Sequence, residues 1–114
     1  MTDTPVDLDH LARYTGGDKS LNSEILRLFD GQISEMVDQL QTVLAQRDRK
    51  KWRQVTHTIK GAARGVGAFA MGQAAAEAEP VDPAAQPDQA GQALAALKSK
   101  GQAVQAFIAD YLAA

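Results

Sequence analysis

Apolar residues recur at steps of three and four along most of the chain, which is the spacing of one face of an α-helix. The longest run begins at an N-cap, either Asp18 or Ser20, and continues to about Gln46. This run predicts a helix roughly 40 Å long. No segment alternates apolar and polar residues over a useful length, so no strand is predicted. The core-facing stripe of the long helix contains Leu21, Ile25, Leu28, Phe29, Ile33, Met36, Val37, Leu40 and Leu44.

A shorter helix is predicted before the long one. Asp7 suits its N-cap, because an aspartate side chain can accept hydrogen bonds from the first free backbone N–H groups. Val6 and Leu11 have the spacing of a hydrophobic staple around that cap. The pair Gly16-Gly17 then ends the helix, which we interpret as a packing element rather than a lid or a docking edge.

Two further helices follow the long one. The third runs from about Asp48 to Arg64, where Gly65 and Gly67 end it, and Gly65 is its predicted C-terminal cap. The fourth runs from about Ala68 to Glu79 and stops at Pro80, because proline removes a backbone donor.

The segment 80–87 contains three prolines and is predicted to be a connector. A fifth helix begins between Pro83 and Asp88 and runs nearly to the C-terminus. Short connectors place consecutive helices antiparallel, so the predicted fold is all-α: an antiparallel up-down four-helix bundle with a short additional N-terminal helix. We expect residues 1–114 to form a single domain. The apolar side of the fifth helix contains Leu94, Leu97, Val104, Phe107, Ile108, Tyr111 and Leu112.

Composition narrows the range of functions. The chain has 114 residues, a net charge of −2 and no cysteine, which argues against nucleic acid as the main partner and excludes disulfides and cysteine chemistry. No apolar run is long enough to span a membrane, and the N-terminus does not resemble a signal peptide. Two histidines at positions 10 and 57 form no metal-ligand cluster. We therefore expect a cytoplasmic, monomeric protein without a metal or cofactor of its own.

The third helix carries the candidate chemistry. With about 100° per residue, its apolar side chains cluster opposite His57, so the histidine is predicted to point outward. Its buried face contains Trp52, Val55, Ile59, Ala62, Ala63 and Val66. The face around His57 contains Lys50, Arg53, Lys60, Gly61 and Arg64.

This face allows two interpretations. His57 is either an incidental surface histidine or a reactive nucleophile, since an exposed imidazole is largely neutral near pH 7. Gly61 favours the reactive interpretation: a glycine inside a helix costs stability, and its use would be to clear space beside the histidine for a partner. The basic residues are either a solvated face or contacts for a phosphoryl group and a partner, with Lys50 and Arg53 closer to the solvated case. His10 has no comparable surroundings and is assigned no role.

The segment His57-Thr58-Ile59-Lys60-Gly61-Ala62-Ala63, followed by Gly67, resembles the histidine-containing phosphotransfer (HPt) domain family. The stretch from Val6 through Phe29 also resembles the family's short first helix leading into the long one. The resemblance covers most of the chain and is weakest after Pro80. It implies a helical bundle whose histidine receives a phosphoryl group from an aspartate of a receiver domain, usually in a hybrid sensor kinase. The histidine then passes that group to the receiver aspartate of a response regulator.

The resemblance also implies residue roles. His57 corresponds to the phosphoacceptor, Lys60 to the lysine near the phosphoryl oxygens, and Gly61 to the small residue that lets the partner approach. Family members often place a Gln or Glu of the next helix against the histidine, and Glu79, 22 residues later, has the matching spacing; Glu77 is a competitor. Mg²⁺ in such relays belongs to the receiver.

Three functions remain open from the sequence. The first is a phosphorelay protein without kinase activity, since no GxxxxGK[ST] loop for a nucleotide is present. The second is an adaptor that binds a receiver without being phosphorylated. The third is the phosphoacceptor domain of a chemotaxis-type histidine kinase, although a Met start and a helix at the C-terminus favour a free-standing protein.

Overall fold

The computed structural model describes residues 4–114 and contains five α-helices, with no β-strand in that range. The predicted all-α fold is thus confirmed: four helices form an antiparallel bundle, and the short first helix packs across the second and third. The third helix lies between the second and fourth, and the fifth closes the bundle against the second and fourth. The helices are α1 (Leu8–Thr15), α2 (Lys19–Gln46), α3 (Arg49–Val66), α4 (Phe69–Ala78) and α5 (Pro87–Ala113).

Aspartates begin the first three helices. Asp7 accepts hydrogen bonds from the backbone N–H groups of residues 9 and 10, and Val6 and Leu11 are buried on either side of this cap, as the staple requires. Asp18, not Ser20, caps α2 by accepting from the N–H of residue 21. Asp48 caps α3 in the same way, by accepting from the N–H of residue 51, and so sets where the helix begins.

The predicted end of α3 is wrong. The helix continues through Gly65 to Val66, and Gly67 is the left-handed cap, with φ of 90°. A Cβ at Gly67 would lie 2.6 Å from the carbonyl oxygen of Asp7, whereas one at Gly65 would meet nothing within 4 Å. The Gly67 carbonyl also accepts the N–H of Asp7 at 2.9 Å, so this glycine joins the α3–α4 turn to the start of α1.

The core-facing stripe of α2 also differs from the prediction. Leu21 and Leu28 are exposed, and Leu26 and Val43 are buried instead. Leu28 fits the three-and-four spacing of apolar residues along the sequence. Around the helix axis, however, it lies about 140° from the buried Ile33, so the spacing places it on the wrong face. Asn22, also buried, donates from its side chain to the Tyr111 hydroxyl and links the start of α2 to the end of α5. None of the helices among the described residues is both long and apolar enough to cross a membrane.

Candidate functional site

The buried face of α3 determines that His57 points outward. Trp52, Ile59 and Ala63 are fully buried against the rest of the bundle, and the His57 side chain on the opposite side is 69% exposed. Thr56 is also fully buried, and its hydroxyl donates to the Trp52 carbonyl at 2.8 Å, which explains how a polar side chain is tolerated there.

A single carboxylate oxygen joins His57 to Lys60. Glu79 Oε1 lies 2.9 Å from Lys60 Nζ and 3.4 Å from His57 Nδ1. Lys60 follows His57 by three residues on the same face of α3, and Glu79 immediately follows α4, whose antiparallel packing returns the chain to this level. The Lys60 and Glu79 side chains are 22% and 19% exposed. The more exposed imidazole of His57 therefore lies beside a largely shielded ion pair.

The lysine keeps this carboxylate ionised. The hydrogen bond from Lys60 lowers the pKa of Glu79 below its usual value; partial burial opposes this effect, and His57 adds to the lowering. An ionised Glu79 can only accept hydrogen bonds, so its contact with His57 favours the tautomer that carries the proton on Nδ1. The Nε2 lone pair, on the other side of the ring, is then free for a reaction.

The competing glutamate is engaged elsewhere. Glu77 is exposed on α4, and its carboxylate accepts a hydrogen bond from the Gln73 amide at 3.3 Å. Within residues 4–114 it forms no hydrogen bond or ion pair with His57.

The remaining basic residues form a rim around the histidine. Lys50 and Arg53 line a surface depression of about 660 Å³ together with His57 and Glu79. Arg53 also lines a neighbouring depression of about 340 Å³ that contains Lys60. Arg64 is exposed one helical turn beyond Lys60.

Arg49 belongs to this rim and was not predicted from the sequence. It lines both depressions and forms a loose ion pair with Asp82, with 3.9 Å between Nε and Oδ2. The available signal was its spacing, because Arg49 precedes Arg53 by four residues and therefore lies one turn away on the same side of α3.

Gly61 has no packing function within the chain. A Cβ at this position would meet nothing within 4 Å, and the residue is exposed in the interior of α3. Gly31 and Gly91 are open in the same way, so open space alone does not distinguish Gly61. Its distinguishing feature is its position, one turn after His57 on the same exposed surface.

The other histidine lies in a different setting. The His10 ring packs edge-on against Tyr14 and Phe69, with ring centroids 5.7 Å and 5.0 Å away. Within residues 4–114, no group of three or more histidine and acidic side chains is arranged to hold a metal ion.

The chain matches a known protein family. The model of the Hpt domain family matches residues 24–110, which is more than half of the chain and includes His57, Lys60 and Glu79. No curated protein and no solved structure shows a significant match.

Proposed function

Because the chain belongs to the Hpt domain family, whose members act in histidine phosphotransfer in phosphorelays, we propose that His57 is its phosphoacceptor. In this proposal His57 receives a phosphoryl group from the receiver aspartate of a hybrid sensor kinase and passes it to that of a response regulator. The observation that supports it is the shared contact of one Glu79 oxygen with His57 Nδ1 and Lys60 Nζ on an exposed face.

The transfer requires no proton to leave the attacking atom. With the proton held on Nδ1 by Glu79, the Nε2 lone pair of His57 attacks the phosphorus of the aspartyl phosphate. The Nε2–P bond forms as the P–O bond to the aspartate breaks, and the aspartate leaves as a carboxylate. The reverse reaction uses the same atoms, so the chain can both receive and donate the group.

Lys60 has two anionic partners in this scheme. Before transfer its ammonium group donates to Glu79, and after transfer the phosphoryl oxygens lie one helical turn away on the same face. A lysine side chain rotates freely enough to share its three donors between both. Lys60 therefore offsets the negative charge that arrives on His57.

The surface around His57 is the proposed contact for both receivers. Gly61 lets the partner approach the imidazole, and Arg64, Arg53 and Lys50 face its acidic phosphoacceptor pocket. We expect any Mg²⁺ that the transfer needs to be bound by the receiver, and this chain to act as a monomer without kinase activity of its own.

A transfer assay with a histidine-matched control tests the proposal. The wild-type protein is incubated with a receiver carrying radioactive aspartyl phosphate, and the label it acquires should be acid-labile and alkali-stable. His57→Gln should acquire none, whereas His10→Gln should acquire as much as the wild type. Equal labelling of His57→Gln would overturn the assignment.

The same assay separates the proposed relay from an adaptor. An adaptor would bind the receiver and acquire no label, in the wild type as in His57→Gln. The variant Lys60→Ala, compared with Lys100→Ala on the exposed side of α5, measures the contribution of Lys60 to transfer. We expect Lys60→Ala to accept the phosphoryl group about tenfold more slowly than the wild type, the effect of losing one charge-assisted hydrogen bond.

A further inference from the structure

The side chain of Trp52 is tied to the backbone next to Glu79. Its indole is fully buried, and Nε1–H donates to the carbonyl oxygen of Ala78 at 2.9 Å. Ala78 is the last residue of α4, and Glu79 follows it directly. The hydrogen bond therefore joins the first half of α3 to the peptide group between Ala78 and Glu79, next to the Cα atom that carries the Glu79 side chain.

The end of α4 needs such a partner. The last carbonyl groups of a helix have no N–H group of the same helix to accept from, and Pro80 cannot donate. The Ala78 carbonyl accepts from Val81 N–H in the connector at 3.1 Å as well as from the Trp52 indole. Of these two donors only Trp52 belongs to the helix that carries His57.

We propose that Trp52 is a positioning residue, whose indole N–H fixes the Ala78 carbonyl and so holds Glu79 at the distance that keeps the His57 proton on Nδ1. For phosphotransfer this inference rests on the proposed function, but the effect on the tautomer does not. Trp52 itself is buried beneath the site and touches no reacting atom.

The two contacts of Glu79 differ in their tolerance of movement. The bond to His57 is already long at 3.4 Å, so a small shift of the carboxylate away from the ring breaks it. The bond to Lys60 is 2.9 Å, and the flexible lysine can follow the carboxylate. Loss of the indole bond should therefore release His57 while the ion pair between Lys60 and Glu79 persists.

The variant Trp52→Phe removes the N–H donor and keeps an aromatic ring in the core. Nitrogen NMR of His57, with no receiver present, should show one protonated and one unprotonated ring nitrogen in the wild type. In Trp52→Phe the two resonances should move towards each other as the tautomers mix. Phosphotransfer should slow by roughly threefold to tenfold, the effect of one weakened hydrogen bond.

A core variant in another helix distinguishes positioning from a general loss of stability. Ile108→Val shortens a fully buried side chain in the last turns of α5, the end that Tyr111 links to the start of α2. It should lower the thermal midpoint and leave both the His57 tautomer and the transfer rate unchanged. A wild-type tautomer ratio in Trp52→Phe, or the same change in Ile108→Val, would overturn the inference.

The wild-type protein gives a second test that needs no folded Trp52 variant. Trp52 is the only tryptophan, so the indole N–H gives a single NMR cross-peak. This peak should shift as acid protonates the Glu79 carboxylate, and it should stay fixed in Glu79→Gln, which has no carboxylate to protonate. A peak that ignores pH in the wild type would contradict the coupling even if His57 proves to be the phosphoacceptor.

Discussion

At the scale of single residues, one oxygen of Glu79 connects the charge of Lys60 to the proton of His57. A solvent-accessible ion pair contributes little to the free energy of unfolding, so its value lies in position and charge state. The carboxylate is an acceptor at neutral pH, and the lowered pKa extends this state to more acidic pH. An acceptor at Nδ1 leaves Nε2 as the proposed nucleophile.

The lowered pKa of Glu79 predicts a pH dependence of stability. Ionisation of Glu79 favours the folded state above the pKa that this group has in the unfolded chain, and the contribution is lost as pH falls through the lower folded-state pKa. Below about pH 5 the wild type should lose stability with acid more steeply than Glu79→Gln. Urea unfolding at several pH values measures both slopes.

The neighbouring carboxylate provides the control for this prediction. Glu77→Gln removes an exposed acid that contacts only Gln73, and it should keep the wild-type profile. If the free energy of unfolding fell equally steeply with acid in Glu79→Gln and in the wild type, the hydrogen bond between Glu79 and Lys60 would contribute nothing to stability.

The members of this site were not equally predictable from the sequence. His57 and Lys60 belong to one helix, so helical periodicity alone places them on the same face. Glu79 is held by the packing of α4 on α3, and helical spacing cannot supply that relation; family resemblance suggested it. The indole bond of Trp52 was missed because it depends on where the segment 78–82 folds, whereas Arg49 was missed although its helical spacing to Arg53 was available.

At the scale of the elements, local sequence signals suffice to predict the order of the helices. Where a helix ends can depend on contacts between residues that are distant in the sequence. Asp7, Asp48 and the prolines after Glu79 act on adjacent backbone, so the sequence sufficed for them. The choice between Gly65 and Gly67 as the cap of α3 depends on the approach of Asp7, some 60 residues earlier. No local pattern contains that information.

The two glycines give opposite predictions for the same substitution. Gly67→Ala places a side chain at φ of 90° and within 2.6 Å of the Asp7 carbonyl, so it should lower the free energy of unfolding by about 2 kcal/mol or more. Gly65→Ala adds a methyl group in open space inside a helix and should raise it by about 0.5–1 kcal/mol. Chemical denaturation of both variants measures the difference.

A loss of stability in Gly65→Ala as large as that in Gly67→Ala would contradict the assigned end of α3. Both glycines lie beyond the His57–Lys60–Glu79 contacts, so each substitution tests the helix boundary separately from the chemistry.

At the scale of the whole molecule, charge is distributed very unevenly. α3 carries six of the twelve lysine and arginine residues and no acidic residue, while the rest of the chain carries all fourteen acids. Its first turn contains Arg49, Lys50 and Lys51 next to the positive end of the helix dipole, an arrangement that costs about 0.3–1 kcal/mol per charge. A chain with a net charge of −2 thus presents a strongly positive face around His57.

This asymmetry predicts that receiver binding depends on salt through α3. A positive face accelerates association with the acidic pocket of a receiver, and added salt screens the attraction beyond about 8–10 Å. The double variant Arg49→Ala/Arg53→Ala should slow association several-fold at low salt, with little change in dissociation. Stopped-flow mixing with a receiver at increasing ionic strength should show the rates of variant and wild type converging.

The matched control removes the same number of charges from α5. Lys98→Ala/Lys100→Ala lies on exposed positions of the helix that packs against α2 and α4 rather than α3. If net charge alone governs association, both double variants should slow it equally. If the position of the charge on α3 governs association, only the arginine pair should. The structure favours the second outcome, because Arg49 and Arg53 line the depressions beside His57 and Glu79.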